Sequence, residues 1–204
     1  MEIKTIRVGQ LQTNCYLVWN EDSPSCFIID PGDDADFITT EILQLKLKPQ
    51  AILLTHGHYD HCLACLELKL NFDIPIYLDP QDNFLYQKAA RSAGHWSSSK
   101  VTLKQPSTIP YPKEIKLGNT TLKVIHTPGH TPGSVCLYSA PHLFVGDTIF
   151  ADGVGRTDFS YSSASDLQKS IHHLKCKMKN VKCKILVYPG HEDTPVFLSA
   201  LNNP

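Results

Sequence analysis

One heptapeptide constrains this chain more than any other feature. Residues 55–61 read Thr-His-Gly-His-Tyr-Asp-His, which places three imidazoles and one carboxylate within six positions. The apolar residues 51–54 come directly before it and predict a buried strand that ends where the heptapeptide begins. Because neutral imidazoles and carboxylates suit zinc, iron and manganese, the pattern predicts a metal site at the end of that strand. A polar loop with accidental histidines is the alternative interpretation.

The heptapeptide offers more ligands than one tetrahedral ion can use. His56 and His58 are two positions apart, so both side chains can point the same way from an extended backbone. Asp60 and His61 follow after the chain has begun to turn, and they can therefore face a second ion. The spacing thus favours a site with two ions.

Three other apolar runs also lead into potential ligands. His130 lies in a Pro/Gly-rich turn after the first run, Asp147 ends the second run, and His191 follows the third. Each would be unremarkable alone, but ligands that follow four strands predict one site at the edge of a sheet core. The complete set of candidate metal ligands is His56, His58, Asp60, His61, His130, Asp147 and His191.

This set of ligands resembles the metallo-β-lactamase superfamily and, within it, the glyoxalase II-like hydrolases. The supporting segments are 13–17, 29–32, 127–134, 146–150 and 155–158, in addition to the heptapeptide. The resemblance implies an α/β fold, a four-layer αββα sandwich. The length of 204 residues suits a single domain over residues 1–204, or one domain with a small extension. The resemblance also implies that His56, His58 and His130 hold one ion, that Asp60, His61 and His191 hold the other, and that Asp147 bridges them.

The chemistry of these residues agrees with that division. Three neutral imidazoles leave a divalent ion nearly its full charge, and water on such an ion reaches a pKa of about 7. We therefore expect a metal-bridging hydroxide as the nucleophile and a substrate carbonyl polarised by one of the ions. Asp60 is the candidate catalytic residue, because its carboxylate would accept a hydrogen bond from the hydroxide and orient it.

The resemblance makes a thioester hydrolase of the hydroxyacylglutathione hydrolase type the leading function, with S-lactoylglutathione as the leading substrate. Glyoxalase II proper carries a C-terminal helical domain that binds glutathione, whereas this chain ends soon after His191, so we expect a short form without that domain. Zinc is the expected metal, with iron and manganese as alternatives. The alternative functions are a persulfide dioxygenase with a single iron, a lactonase or β-lactamase, and a binding protein with a vestigial site.

Composition limits the partners. The chain has 204 residues and a formal net charge of −1, so it has no overall bias towards nucleic acid or anionic membranes, which disfavours a nuclease. The N-terminus lacks the pattern of a signal peptide, and no apolar stretch approaches the length of a membrane helix. We therefore expect a cytoplasmic enzyme that binds a small-molecule substrate and neither nucleic acid nor membrane.

Periodicity predicts interleaved strands and helices. The predicted strands are 2–8, 14–20, 26–30, 51–54, 74–78, 115–117, 121–126, 134–139, 142–146 and 184–188. The predicted helices are 34–47, with Asp33 or Asp34 as its cap, 62–71, 80–91 and 165–178. The Ser/Pro-rich residues 92–112 are the expected substrate-facing loop.

Four other expectations concern residues near the ligands. Asp30 is expected to orient a ligand histidine, on the strength of the family resemblance. Arg156 and Asp158 are expected to form an ion pair that braces a loop. Cys62 and Cys65 form a CxxC pattern, but with no second cysteine pair beside it we interpret them as packing residues. His126 is expected to be a structural residue and not a ligand.

Overall fold

The strands form two sheets, and each sheet comes from a continuous part of the chain. The computed structural model describes residues 1–96, 105–192 and 194–197. The first sheet has the strand order β1-β2-β3-β4-β5 and the second has the order β11-β10-β9-β8-β7-β6. The first sheet contains β1 Glu2–Val8, β2 Thr13–Asn20, β3 Ser23–Ile29, β4 Lys48–Leu53 and β5 Ile76–Tyr77. The second contains β6 Glu114–Leu117, β7 Thr120–His126, β8 Val135–Ser139, β9 His142–Gly146, β10 Leu186–Pro189 and β11 Val196–Phe197.

Helices cover the outer faces of the two sheets. They are α1 Ala35–Gln44, α2 Cys65–Phe72, α3 Asn83–Tyr86, α4 Ala89–Trp96 and α5 Ala164–Met178, with 3-10 turns at Tyr59–His61 and Pro80–Asp82. Within the described residues, no helix has the length and apolar character needed to cross a bilayer.

The buried side chains form three layers, which establish the four-layer αββα sandwich. Along β3, Ile28 packs in the layer beneath α1 and α2, whereas its neighbour Phe27 packs between the two sheets. Leu174 of α5 packs with Val187 of β10 in the third layer. Successive strand residues face opposite sides of a sheet, so a sheet covered on both faces needs continuous apolar strands. This explains the uninterrupted apolar runs in β3 and β4.

Strand direction brings the ligand-bearing loops to one edge of the sandwich. In the second sheet, β7 and β9 are both antiparallel to β8, and β10 is parallel to β9, so all three end at the same edge. In the first sheet, β3, β4 and β5 are mutually parallel. The sheets are joined at this edge by backbone hydrogen bonds from Val135 N to Thr55 O at 2.8 Å and from Asn14 N to Gly190 O at 2.7 Å.

Several predicted boundaries differ from the structure. Asp34 is the N-cap residue of α1, as predicted, but its side chain makes no capping hydrogen bond, and its carboxylate instead accepts from Gly9 N at 2.8 Å. The region predicted as one helix at 80–91 consists of a 3-10 turn, α3 and the start of α4. The two-residue strand β11 was not predicted. In the predicted loop 92–112, α4 extends to Trp96, and residues 97–104 lie outside the described residues.

Candidate metal centre

Three imidazoles from the two sheets converge at the shared edge, and we call them the first triad: His56, His58 and His130. Nδ1 of His58 lies 3.1 Å from Nε2 of His56 and 3.0 Å from Nε2 of His130. His56 and His58 follow β4 of the first sheet, whereas His130 follows β7 of the second. One ring nitrogen of each residue therefore faces a common point, at spacings that suit a single ion.

A second group of donors lies beside the first, and we call it the second triad: Asp60, His61 and His191. Oδ2 of Asp60 lies 3.6 Å from Nε2 of His61 and 3.3 Å from Nε2 of His191. Asp60 and His61 belong to the 3-10 turn after β4, and His191 follows β10. The turn in the backbone separates these two residues from His56 and His58, as the spacing predicts.

Asp147, at the end of β9, lies between the triads. Its Oδ2 is 3.6 Å from Nε2 of His130 in the first triad and 3.7 Å from Nε2 of His191 in the second. Its Oδ1 is 3.4 Å from Nε2 of His61. The structure thus brings together all seven side chains that the sequence singles out as candidate ligands.

The outer ring nitrogens of the first triad are anchored by neutral groups. Nδ1 of His56 lies 3.0 Å from Oγ1 of Thr55, and Nε2 of His58 lies 2.9 Å from the hydroxyl of Tyr161. Nδ1 of His130 donates to the carbonyl oxygen of Arg156 at 2.9 Å. Such outer contacts fix the orientation of a ligand imidazole and leave its inner nitrogen available to a metal.

In the second triad, one outer ring nitrogen contacts a carboxylate and the other contacts a backbone carbonyl. Nδ1 of His61 donates to Oδ2 of Asp30 at 3.0 Å, and Nδ1 of His191 donates to the carbonyl oxygen of Leu11 at 3.1 Å. Asp30 also accepts from the backbone and hydroxyl of Thr55, at 2.7 and 2.6 Å. Asp30 therefore holds the ring of a candidate ligand histidine, as expected.

Two buried atoms at the centre indicate that a cation fits here. Nε2 of His61 and Oδ1 of Asp147 are buried and have no hydrogen-bond partner within the described residues. Unpaired polar atoms are costly inside a protein unless a ligand satisfies them. Gly190 leaves room for them, since a Cβ at this position would collide with both Asp147 and His61. Imidazole nitrogens and carboxylate oxygens together match the donor preferences of zinc and iron.

Electrostatics distinguish the two triads. Burial, together with neighbouring His61 and His58, lowers the pKa of His56 well below its ordinary value. Burial and the neighbouring His130 lower the pKa of His58 to about 4. Both rings are therefore neutral at pH 7, which is the form that ligates metals.

Carboxylates reverse this trend in the second triad. Burial alone would lower the pKa of His61, but Asp147, Asp60 and Asp30 outweigh it and raise the pKa well above its ordinary value. Burial alone would lower the pKa of His191, but its hydrogen bond to the Asp60 carboxylate and the nearby Asp147 outweigh burial and raise the pKa. Burial would raise the pKa of Asp147, yet the interaction with His61 dominates and lowers it. These shifts favour protonated His61 and His191 beside an ionised Asp147 in the metal-free protein.

A cavity of about 740 Å³ opens in front of both triads. Much of its wall is apolar or aromatic, formed by Leu11, Leu85, Phe150, Val154, Phe159 and Tyr161. The ring of Phe159 stacks on Tyr161 at 5.3 Å and packs against His58 at 5.2 Å. The aromatic pair therefore forms one side of the cavity directly beside the first triad.

Arg156 lies at the mouth of this cavity. Its guanidinium donates two hydrogen bonds to Asp158, at 2.8 and 2.7 Å, and lies 4.5 Å from the ring centre of Phe159. The expected ion pair is confirmed, and it supports the loop whose carbonyl anchors His130.

Cys62 and Cys65 are buried behind the centre, and burial raises the pKa of both thiols, which confirms the packing interpretation. His126 ends β7 outside the centre and lies 2.9 Å from the carbonyl oxygen of Pro132. Sequence reasoning missed Tyr161 and the buried Asp82. Their local sequence contains no ligand motif, and only the aromatic spacing of Phe159 and Tyr161 in one loop gives a weak signal.

Known proteins are similar to this chain in sequence and in fold. The chain is 35% identical over 209 residues to the "Probable metallo-hydrolase YqgX" of Bacillus subtilis, covering 100% of this chain and 97% of that protein. It is 32% identical over 197 residues to the "Hydroxyacylglutathione hydrolase GloC" of Haemophilus influenzae, covering 94% and 91% respectively. The crystal structure of TTHA1623 in a di-iron-bound form superposes with a TM-score of 0.84 at 32% identity, covering 97% of this chain and 96% of that one.

The family assignment rests on the whole domain as well as on the ligands. Members of the Metallo-beta-lactamase superfamily are metal-dependent hydrolases of small molecules, and their fold binds divalent metals. The sequence profile of that superfamily matches residues 8–191, from the end of β1 to the last candidate ligand. With two sheets, four layers and ligands at their common edge, this chain belongs to the metallo-β-lactamase superfamily.

Proposed function

We propose that this protein is a dinuclear metal-dependent thioester hydrolase of the glyoxalase II type. One observation carries the proposal: two triads of candidate ligands lie on either side of Asp147 and face one open cavity. The similarity to the hydroxyacylglutathione hydrolase GloC over nearly the whole chain supports a thioester as substrate. A complete second triad favours two ions, and so favours hydrolysis over the single-iron chemistry of a persulfide dioxygenase.

The residues divide as follows in this proposal. His56, His58 and His130 would hold one ion, and the second triad would hold the other. Asp147 would contribute to both, because its two oxygens lie near members of both triads. Zinc is the first choice of metal, and the di-iron form of TTHA1623 makes iron the main alternative. When bound, the ions would supply Lewis acidity towards a carbonyl oxygen and would lower the pKa of water.

Asp60 is the proposed catalytic carboxylate. Burial would raise its pKa, but the nearby His61 and the hydrogen bond with His191 outweigh burial and lower it, so Asp60 is ionised at neutral pH. An ionised carboxylate at the cavity surface accepts a hydrogen bond from the attacking water and orients its lone pair towards the substrate carbonyl.

The cavity wall indicates how a thioester would bind. Phe159 and Tyr161 offer a flat apolar surface beside the first triad, and Leu11 and Phe150 offer another near His191. A thioester has two arms that extend from its carbonyl, so one apolar wall would receive the acyl arm and exclude water around the reacting carbon. S-Lactoylglutathione is the leading substrate, and its charged thiol arm would extend towards the cavity mouth.

The test measures metal content and substrate range together. Protein purified without a metal-affinity tag is analysed for metal and assayed for thiol release from S-lactoylglutathione, with Asp60→Asn as the matched variant. We expect close to two ions per chain, thiol release by the unmodified protein, and a loss of about a hundredfold or more in Asp60→Asn, within the usual range for a general base. A single iron per chain, with oxygen consumed on a glutathione persulfide and no thioester cleavage, would contradict the proposal.

A further inference from the structure

A buried carboxylate outside the candidate ligand set lies between the two loops of the first triad. Asp82 ends the 3-10 turn Pro80–Asp82, and its side chain is fully buried, with 0% of its surface exposed. Burying a carboxylate is costly unless hydrogen-bond donors surround it. Neither the sequence pattern nor the proposed hydrolytic chemistry accounts for a charged group at this position.

Three donors surround the Asp82 carboxylate, and they come from two separate loops. Oδ2 accepts from Gly57 N at 2.9 Å and from Oγ1 of Thr131 at 2.7 Å. Oδ1 accepts from Gly133 N at 2.6 Å. Gly57 lies between His56 and His58, and Thr131 directly follows His130. One carboxylate therefore holds both loops that carry the first triad, although these loops follow strands of different sheets.

We propose that Asp82 is a positioning residue that sets the distance between His130 and the pair formed by His56 and His58. The inference rests on the assignment of these histidines as metal ligands in the proposed function. Asp82 acts through the backbone on either side of the ligands and does not contact substrate or metal.

The groups around the Asp82 carboxylate are closely packed, so its position is narrowly constrained. A Cβ added to Gly133 would lie 2.8 Å from Oδ1 of Asp82, so the loop approaches the carboxylate as closely as a residue without a side chain permits. Thr131 is held in turn by Ser134, whose Oγ lies 2.6 Å from the Thr131 hydroxyl. Hydrogen bonds to an ionised acceptor are short and strong, so the carboxylate fixes the spacing of the loops better than a neutral group would.

The second triad lacks this support. Within the described residues, Asp82 accepts no hydrogen bond from the 3-10 turn Tyr59–His61 or from the loop that carries His191. Its loss should therefore act unequally on the two metal positions, which distinguishes a positioning role from a general contribution to folding.

The experiment compares Asp82→Asn with Asp79→Asn. Asn keeps the shape of the side chain but turns one acceptor into a donor that faces an N–H group. Asp79 is the matched control, because its carboxylate belongs to the same turn but, among the residues that the structure describes, accepts only from Gln81 N, at 2.9 Å. Cobalt(II) affinity is measured by its absorption spectrum under competition with a chelator. The measurement is made in a His191→Ala background, in which only the first triad is complete, and in a His58→Ala background, in which only the second is complete.

We expect Asp82→Asn to weaken cobalt binding by the first triad by about ten- to a hundredfold, the range for loss of an outer partner of a metal site. The second triad should keep its affinity within about threefold, and Asp79→Asn should change neither. Equal weakening of both triads, or wild-type affinity and spectrum at the first triad, would overturn the proposal.

Thr131→Val provides a second variant if Asp82→Asn does not fold. It removes one of the three donors and leaves the carboxylate in place, so we expect a smaller loss, about three- to tenfold, again confined to the first triad. An unchanged affinity would count against Asp82 as a positioning residue. Since metal affinity is the readout, a protein that binds two ions but does not cleave thioesters would refute the proposed function and leave this inference intact.

Discussion

The two triads lie side by side but differ in the chemical groups that form and support them. The first consists of three imidazoles whose outer nitrogens contact neutral groups, namely a hydroxyl of Thr55, a hydroxyl of Tyr161 and a backbone carbonyl. The second contains the carboxylate of Asp60, and a further carboxylate, Asp30, anchors His61. An ion in the first triad would keep more of its charge, whereas an ion in the second would be partly neutralised. The comparison teaches that the supporting residues, as well as the ligands, give the two positions different electrostatic character.

Removing the residue shared by both triads should have the largest effect. Asp147→Ala removes the bridge, so we expect fewer than two ions per chain and a fall in thioester hydrolysis of more than about a hundredfold, above the effect of losing an outer partner. Metal analysis and thiol release measure the two quantities. Retention of two ions and full activity would show that the triads are independent and that Asp147 does not bridge them.

Substituting one residue that contacts a histidine of each triad should change the metal affinities of the two triads by different amounts. Asp30→Asn weakens the charged support of His61, and we expect a loss of about ten- to a hundredfold in metal affinity at the second triad. Asn is a suitable replacement, because Asp30 has a left-handed backbone with φ 50° that Asn tolerates well. Tyr161→Phe removes only a neutral hydroxyl beside His58, so a loss of about threefold is expected at the first triad. Chelator competition measures both, and equal losses would remove the electrostatic distinction.

Acid should affect the two triads in opposite directions in metal-free protein. The folded-state pKa of His58 is lowered to about 4, so between pH 6.5 and 4 this side chain binds more protons in the unfolded chain than in the folded one. The stability of the protein therefore decreases as the pH decreases through this range. The folded-state pKa of His191 is raised, so its stabilising contribution is complete below its unfolded value and is lost as pH rises through the folded value.

Relative to unmodified protein at pH 5, His58→Gln should therefore raise the midpoint of thermal unfolding and His191→Gln should lower it. We expect shifts of about 3 °C, equivalent to roughly 1 kcal/mol in a domain of this size. Thermal unfolding in the presence of a chelator, at pH 5 and pH 8, measures the difference. Shifts of the same sign at pH 5 would contradict the assignment of opposite charge preferences.

The smallest effect is expected from the thiols behind the centre. Cys62→Ala should leave metal content unchanged and destabilise the protein by about 1 kcal/mol, since it removes a buried side chain next to His61 that is not a ligand. Exposed Cys176 serves as the control, and Cys176→Ala should change neither quantity. Loss of one ion in Cys62→Ala would require the second triad to be extended to a sulfur ligand.

The candidate ligands could be predicted because local features determine them. His56, His58, Asp60 and His61 occur together in one short segment, and the remaining three follow apolar strands that end at the same edge. The αββα layers followed from the family resemblance, and the double-faced apolar runs of β3 and β4 agree with them.

Features that depend on contacts between distant segments could not be predicted. Asp82 lies 49 positions from Thr131, and Tyr161 lies 103 positions from His58, so no local pattern connects either pair. Asp34 is the N-cap residue of α1, as one of the two predicted alternatives has it, but its hydrogen bond with the distant Gly9 could not be predicted, for the same reason. The strand β11 has two residues, which is too short to show a periodicity.

Both triads take ligands from each sheet, and this division has a consequence for assembly of the protein. Before the two halves of the chain dock, the first half offers at most two ligands to each ion, and the second half offers one of its own together with Asp147. Full affinity can arise only once the halves meet, so metal uptake would report docking of the sheets and stabilise the docked state by mass action. The ions of such a protein would then stabilise the contact between the two halves of the chain as well as take part in hydrolysis.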